Sequence, residues 1–265
     1  MAQYIIDDIE VPNLEALNEV LFLYINMDES TGRRERISAM LDEAKVVHQR
    51  VTGVVGRVVF ENYSEAKKLH FLKCHGRHMR PGELGCYLSH LAAMQVFLES
   101  DKPFCLILED DAIVLPNATV LQTVFQPDMT EKWDFLRLQT RRKLQFLKIA
   151  DVDKTHALTV NLTRSTGATA YALNRHAAEV LLKKLERIEV PYDHAFDRPQ
   201  HFGLKYRHLA PDTFALASHD STIETAKPER AKGPILIHKV VWRVKTEVGR
   251  FIWALETYLN KILWG

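Results

Sequence analysis

A short apolar run, Phe104 to Leu108, ends without a spacer in three consecutive carboxylates, Glu109, Asp110 and Asp111. A run with no alternating polar residues suits a strand covered on both faces. Such a strand needs a helical layer above it and another below. Its acidic end then lies beyond the carboxyl end of a strand, where open α/β sheets bind their ligands. Three carboxylates packed together repel one another and hold protons more tightly. A divalent cation with hard oxygen ligands, Mg²⁺ or Mn²⁺, relieves that repulsion and commonly bridges to phosphates. The same residues would serve equally as a solvated acidic turn capping the next element, and the motif alone leaves both readings open.

Val20–Met27 is a second apolar strand, followed by loop residues Asp28 to Gly32. Arg33 to Ala44 reads as a helix with Ile37, Met40, Leu41 and Ala44 on one side. Val46–Phe60 is β-branched and predicts one or two further strands. Pro81-Gly82 opens a helix that carries Leu84, Tyr87, Leu88, Leu91, Met94 and Leu98 and stops near Pro103. Strands are expected at Trp133–Leu138 and Thr169–Leu173, and a helix at Ala177–Ile188. This alternation argues for an α/β sandwich with a mostly parallel sheet. No repeat or linker interrupts it, so residues 1–225 read as one domain and 226–265 as a C-terminal extension.

The start of the helix at Pro81 is chemically dense. Gly82 and Gly85 allow a close backbone approach near a helix N-terminus, which is a ready anion site. Glu83 lies in the first turn, and Cys86, Ser89 and His90 share a face. His90 is a candidate for bonding phosphate or sugar, and equally for a core-facing histidine. Cys74 with His78 and Cys86 with His90 form an alternative zinc set, although the spacing is not that of common zinc modules.

These blocks, taken in order, resemble glycosyltransferase family 25. They are Tyr24-Ile25-Asn26, Arg33-Arg34-Glu35-Arg36-Ile37, Gly82-Glu83-Leu84-Gly85-Cys86-Tyr87-Leu88-Ser89-His90, Leu106 to Asp111, Trp133-Asp134, Thr166 to Tyr171 and Pro191-Tyr192-Asp193. The resemblance covers about residues 20–225. It implies a GT-A-like fold with a Rossmann-type mixed sheet flanked by helices, and a UDP-sugar donor, most often UDP-galactose. It implies Mn²⁺ or Mg²⁺ held by Asp111, with Glu109 or Asp110 on metal or ribose. Tyr24 and Asn26 would lie near the nucleotide, and Arg33 and Arg36 near the diphosphate. The acceptor hydroxyl needs a base within hydrogen-bond reach. Asp193 is the candidate, with Glu83 and His90 as alternatives, and a single base suffices if transfer inverts. Gly167 would let backbone approach a sugar, and Asp134 would touch a hydroxyl. The implied acceptor is a lipooligosaccharide or lipopolysaccharide. A non-catalytic carbohydrate- or nucleotide-binding protein on the same fold is the alternative.

Charge enters the argument twice. The chain has 35 Lys and Arg against 34 Asp and Glu, which argues against a dedicated nucleic-acid binder. The local balance is uneven. Arg137, Arg141, Arg142, Lys143 and Lys148 form a basic patch suited to a phosphorylated acceptor. From Lys227 onwards eight basic residues face three acidic ones. After Lys239 an apolar arc including Val241, Val244, Val248, Phe251, Ile252, Leu255 and Leu259 opposes Lys239, Arg243, Arg250 and Lys261, with Trp242 and Trp253 at the flank. That pattern fits either a helix docked on the domain or a peripheral contact with the inner membrane leaflet. Three cysteines without a Cys-x-x-Cys pair, an acidic start including Asp7 and Asp8, and no apolar run of ~18–20 residues predict a cytoplasmic protein.

Overall fold

The computed structural model describes residues 9–217 and 233–264. Asp7 and Asp8, the 225/226 boundary and the basic residues Lys227, Arg230 and Lys232 lie outside the described residues. In chain order the elements are β1 (Val20–Asn26), α1 (Thr31–Glu43), β2 (His48–Thr52), α2 (Gly56–Glu61), α3 (Glu65–His75), α4 (Pro81–Glu99), β3 (Phe104–Glu109) and β4 (Ala112–Val114). Then follow α5 (Leu121–Val124), α6 (Pro127–Thr130), β5 (Phe135–Arg137), β6 (Phe146–Asp151), β7 (Ala157–Asn161), β8 (Ala170–Asn174) and α7 (Arg175–Leu185). The last are α8 (Tyr192–Ala195), β9 (Tyr206–Ala210), β10 (Phe214–Leu216) and α9 (Pro234–Trp264).

Eight strands form one sheet in the order β2-β1-β3-β8-β5-β9-β7-β6, and β4 pairs with β10 beside it. The sheet is mixed. β1 runs parallel to β2 and β3, and β5 parallel to β9, but β8 is antiparallel to both of its neighbours. The expectation of a mostly parallel sheet therefore holds on one side only. The other side is built on β6 and β7, a hairpin whose β6 residues are half exposed and carry Lys148 and Asp151.

Two apolar layers sandwich the sheet. Leu21, Leu23, Cys105, Ile107 and Tyr171 pack against α4 and α7 on one face. Phe22, Tyr24, Leu106 and Leu108 pack against α1 and Trp133 on the other. The alternation of β1 and β3 between these layers is the two-residue period of a pleated strand.

The β-branched stretch after Val46 gives one strand, not two. β2 ends at Thr52, and Gly56 starts a helix. A Cβ at Gly56 would stand 1.9 Å from the Pro81 carbonyl oxygen, and one at Gly85 would stand 2.5 Å from that of Val54. Backbone contact between α2 and α4 thus overrides the local strand preference of Val54, Val55, Val58 and Val59. The close approach expected at Gly85 is made by the chain itself.

The final helix settles which way its arc faces. Arg250 is buried and pairs with Asp197 at 3.1 Å, Ala254 is buried, and Trp242 and Trp253 pack against the core. The side that carries Trp242, Thr246, Arg250, Trp253 and Ala254 therefore docks on the protein, Arg243 and Lys261 stay exposed, and the apolar arc faces outward. Val240, Val244, Val248, Phe251, Ile252 and Leu259 are all exposed.

Candidate active site

Pleating sends neighbouring carboxylates to opposite faces of the sheet. Glu109 follows Ile107 into the α4 layer, where His90 Nε2 lies 3.4 Å from Oε1 and Thr169 Oγ1 donates to Oε2 at 3.4 Å. Asp110 turns to the α1 layer. There Asn26 Nδ2 donates to Oδ2 at 2.8 Å, and Arg33 pairs with Oδ1 at 3.1 Å. Arg36 Nη2 donates to the Asp110 carbonyl at 2.6 Å. Five residues separated in sequence, Asn26, Arg33, Arg36, His90 and Thr169, thus hold one acidic turn. Arg33 and Arg36, expected at the diphosphate, are engaged with Asp110. Tyr24 lies buried one pleat below Asn26, its ring 5.9 Å from that of His48.

Asp111 ends the turn, its carbonyl fixed by the Ala217 N–H at 2.8 Å. Its Oδ1 is buried and has no hydrogen-bond partner among the described residues. Burial, then the charge of Glu109, pushes the Asp111 carboxyl up to about 7. Burial acts the same way on Glu109, but the hydrogen bond and charge of His90, with Arg141, outweigh it and hold that carboxyl below its usual range. An orphaned buried oxygen beside an ionised carboxylate is a hard-oxygen pair that suits a divalent cation.

His90 is 1% exposed and stacks on Tyr192 with ring centroids 4.0 Å apart. Its Nδ1 lies 3.0 Å from the Tyr171 hydroxyl, which lies 2.9 Å from that of Tyr192. Both ring nitrogens are therefore occupied, and His90 acts as a prop for Glu109. Cys86, His90 and Glu109 place ligand atoms within 4.8 Å of one another. Burial, with Glu109 and Asp193 nearby, pushes the Cys86 thiol well up. A thiol held protonated is a wall of the site and a poor ligand for a hard cation. Cys74 belongs to a separate cluster with His70 and Glu189, so the four-ligand zinc set does not form among the described residues.

Asp193, on α8, accepts the Gly167 N–H at 3.2 Å and faces Glu109 closely enough to act on its charge. Gly167 has φ +89°, a conformation that favours glycine, and a Cβ there would meet the Arg141 side chain at 3.0 Å. Arg141 is near enough to the acidic turn for its charge to favour the ionised forms of Glu109 and Asp111. Arg137 does not join a basic patch. It is buried and donates to the Gly167 carbonyl at 2.6 Å, with Asp197 at 3.4 Å. Lys148 pairs with Asp151 on β6. Asp134 accepts from Asn174 and from the Lys205 N–H at the opposite end of the sheet, away from any sugar at this turn.

Glu83 is committed to structure. It accepts the Arg80 N–H at 3.0 Å, capping α4, and pairs with Arg77 through both oxygens. Glu83→Gln is expected to cost about 1–2 kcal/mol in urea unfolding, as loss of a cap and a half-buried pair does, with turnover within about twofold of the parent. A collapse of turnover at unchanged stability would make it the base instead.

The model of glycosyltransferase family 25 (LPS biosynthesis protein) matches residues 21–196. The chain is similar to procollagen galactosyltransferase 1 of Danio rerio, 26% identical over 167 residues, which are 60% of this chain and 28% of that protein. It is also similar to procollagen galactosyltransferase 1-A of Xenopus laevis, 28% identical over 141 residues, which are 50% of this chain and 23% of that protein. The matched region is thus about a quarter of the length of these curated relatives. A crystal structure of a glycosyltransferase involved in glycosylation of the major capsid of PBCV-1 superposes with a TM-score of 0.35 at 8% identity, covering 85% of this chain and 98% of that one.

Proposed function

Because the chain belongs to glycosyltransferase family 25, we propose that it transfers a hexose from a UDP-sugar to a hydroxyl of a lipopolysaccharide or lipooligosaccharide acceptor. Galactose is the sugar to try first, given the names of the relatives. The observation that carries a metal-dependent reaction is the buried, unpartnered Asp111 Oδ1 beside the ionised Glu109. Those two residues would hold Mn²⁺ or Mg²⁺, which when bound neutralises charge on a diphosphate leaving group.

The chain's own residues do the rest. Asn26 and Arg33 fix Asp110, so the turn keeps its shape when a nucleotide enters at the end of β1. His90 and Thr169 orient Glu109. Asp193, aimed by the Gly167 N–H, accepts the proton of the attacking hydroxyl, and one such base serves a single inverting displacement. The test is UDP release from UDP-galactose with Mn²⁺ and with a chelator, in the presence of lipooligosaccharide. Metal- and acceptor-dependent release is expected. Absence of UDP binding in either condition would refute the reading.

The outward arc of α9 is the surface proposed for peripheral membrane contact. No described helix is long and apolar enough to cross a membrane. Interfacial helices bury one apolar face at the headgroup boundary. Val244→Asp with Val248→Asp is expected to cut co-sedimentation with anionic vesicles about tenfold or more, since both exposed valines would bury there. Unchanged sedimentation would remove the membrane from the proposal. Truncation at Lys239 is a poorer test, because it also strands Asp197 without Arg250.

A further inference from the structure

Two clefts, of about 410 and 430 Å³, open where α9 lies across the body, and they share Arg164, Arg243 and Glu247. Seven cationic side chains line them with one lining carboxylate, Glu247; two of the seven are paired from behind, Arg77 with Glu83 and Arg250 with Asp197, which leaves five cations against Glu247. That carboxylate is already shared, 3.9 Å from Arg164 Nε and 3.4 Å from Arg250 Nε. No carboxylate among the described residues pairs with Lys239, Arg243, Arg142 or Lys143. Arg250 is 1% exposed, yet its Nη2 finds no acceptor. Burial and the surrounding cations hold His75 well below its ordinary value, so it stays neutral. Burial, followed by Arg243, lowers Arg164. Cations crowded in a half-buried cleft repel one another until an anion enters. Planar guanidinium forks match phosphoryl oxygens two at a time.

We propose that this cleft seats a phosphoryl group carried by the saccharide acceptor. The inference rests on the glycosyl-transfer reading and names its acceptor chemistry. Its position supports it. Residues 163–167 line the cleft at Thr163 and Arg164 and then reach Gly167, whose N–H holds Asp193. His194, the neighbour of Asp193, lines the adjoining cleft, which shares Arg164 with it. A sugar phosphate seated there presents its attached saccharide towards the base. On the transfer reading the donor would enter at the end of β1, by the α1 layer that holds Asp110, whereas the cleft is lined by α9. A bilayer on the outward arc of α9 lies across the helix from the cleft, so its headgroups do not fill it.

The test is calorimetric titration of the full chain with glucose 6-phosphate and with glucose. Glucose 6-phosphate is expected to bind saturably and glucose not to bind. Lys239→Gln with Arg243→Gln, both at the cleft mouth, is expected to weaken sugar-phosphate binding at least tenfold while UDP–Mn²⁺ binding stays unchanged. Equal binding by parent and variant, or displacement of the sugar phosphate by UDP, would overturn the proposal. So would anionic-vesicle binding lost in the variant with no response to the sugar phosphate. If UDP–Mn²⁺ fails to bind while the sugar phosphate still does, the transfer reading falls and the anion seat stands.

Discussion

If the proposed metal seat is right, Asp111→Asn is expected to lower sugar-transfer turnover about 10²–10³-fold, because a bound metal ion would supply several kcal/mol of charge stabilisation and each ~1.4 kcal/mol is tenfold. The fold should survive, since the amide keeps the size of the side chain and removes a charge that the buried site resists. Proton linkage gives a second readout. The folded carboxyl titrates near 7, above its ordinary value of 3.8, so the metal-free fold binds the extra proton. That contribution to stability is full below 3.8 and is lost as pH rises through about 7. In chelator, the melting temperature of the parent should therefore fall between pH 4 and 8 more than that of the variant. Mn²⁺ should restore the parent at pH 8 and do little at pH 5, where protons compete for the same oxygen. Turnover that survives in the variant, or identical melting profiles, would remove Asp111 from the metal seat.

Asp197→Ala is expected to have the largest effect on stability, about 3–5 kcal/mol in urea unfolding, the cost of leaving buried charge without its partner. Asp197 is fully buried between Arg137 at 3.4 Å and Arg250 at 3.1 Å, and Ser165 Oγ donates to it at 2.5 Å. The truncation leaves two guanidinium groups inside the protein with no carboxylate between them. Such a loss is a large part of the ~5–15 kcal/mol that holds a typical domain together. It should also release α9, seen as faster amide exchange along residues 242–254 with little change in β1 and β3. An unfolding midpoint within ~0.5 kcal/mol of the parent would show that water reaches and solvates both cations.

The elements legible in the sequence are those buried on a regular period. β1, β3, α1, α4 and α7 carry unbroken or helical apolar spacing, and each stands within a few residues of where the pattern places it. The hairpin β6–β7 is different. β6 is the edge strand, its residues are exposed or half exposed, and a register shift between Lys148 and Ala150 breaks its alternation after four residues. α3 buries only Phe71, Leu72 and Cys74, too few for a clear stripe. At the site, Glu109, Asp110 and Asp111 stand in one turn, but Glu109 faces His90, Thr169 and Asp193 while Asp110 faces Asn26 and Arg33. What the spacing could not convey is who holds them. Arg137 reads locally as one more surface cation, yet its partner Asp197 is sixty residues away. The same holds for α9. A helical wheel separates an apolar arc from a charged one but does not say which arc meets the protein. The answer lies in one buried carboxylate that no periodicity marks.

The pleat of β3 has a consequence for protein engineering. Glu109 and Asp110 are adjacent in the chain, but each takes its orientation from a different helical layer, so strand phase sets their chemistry. Deleting one residue upstream, at Ile107 for example, would flip both faces: Asp110 would take the place of Glu109 beside His90 and Thr169, and Glu109 would land in the apolar place of Leu108, with composition almost unchanged. Grafting Glu109, Asp110 and Asp111 onto another strand would carry over the carboxylates and lose their environments. Any transplant has to move β3 together with the ends of α1 and α4, as a single in-frame cassette.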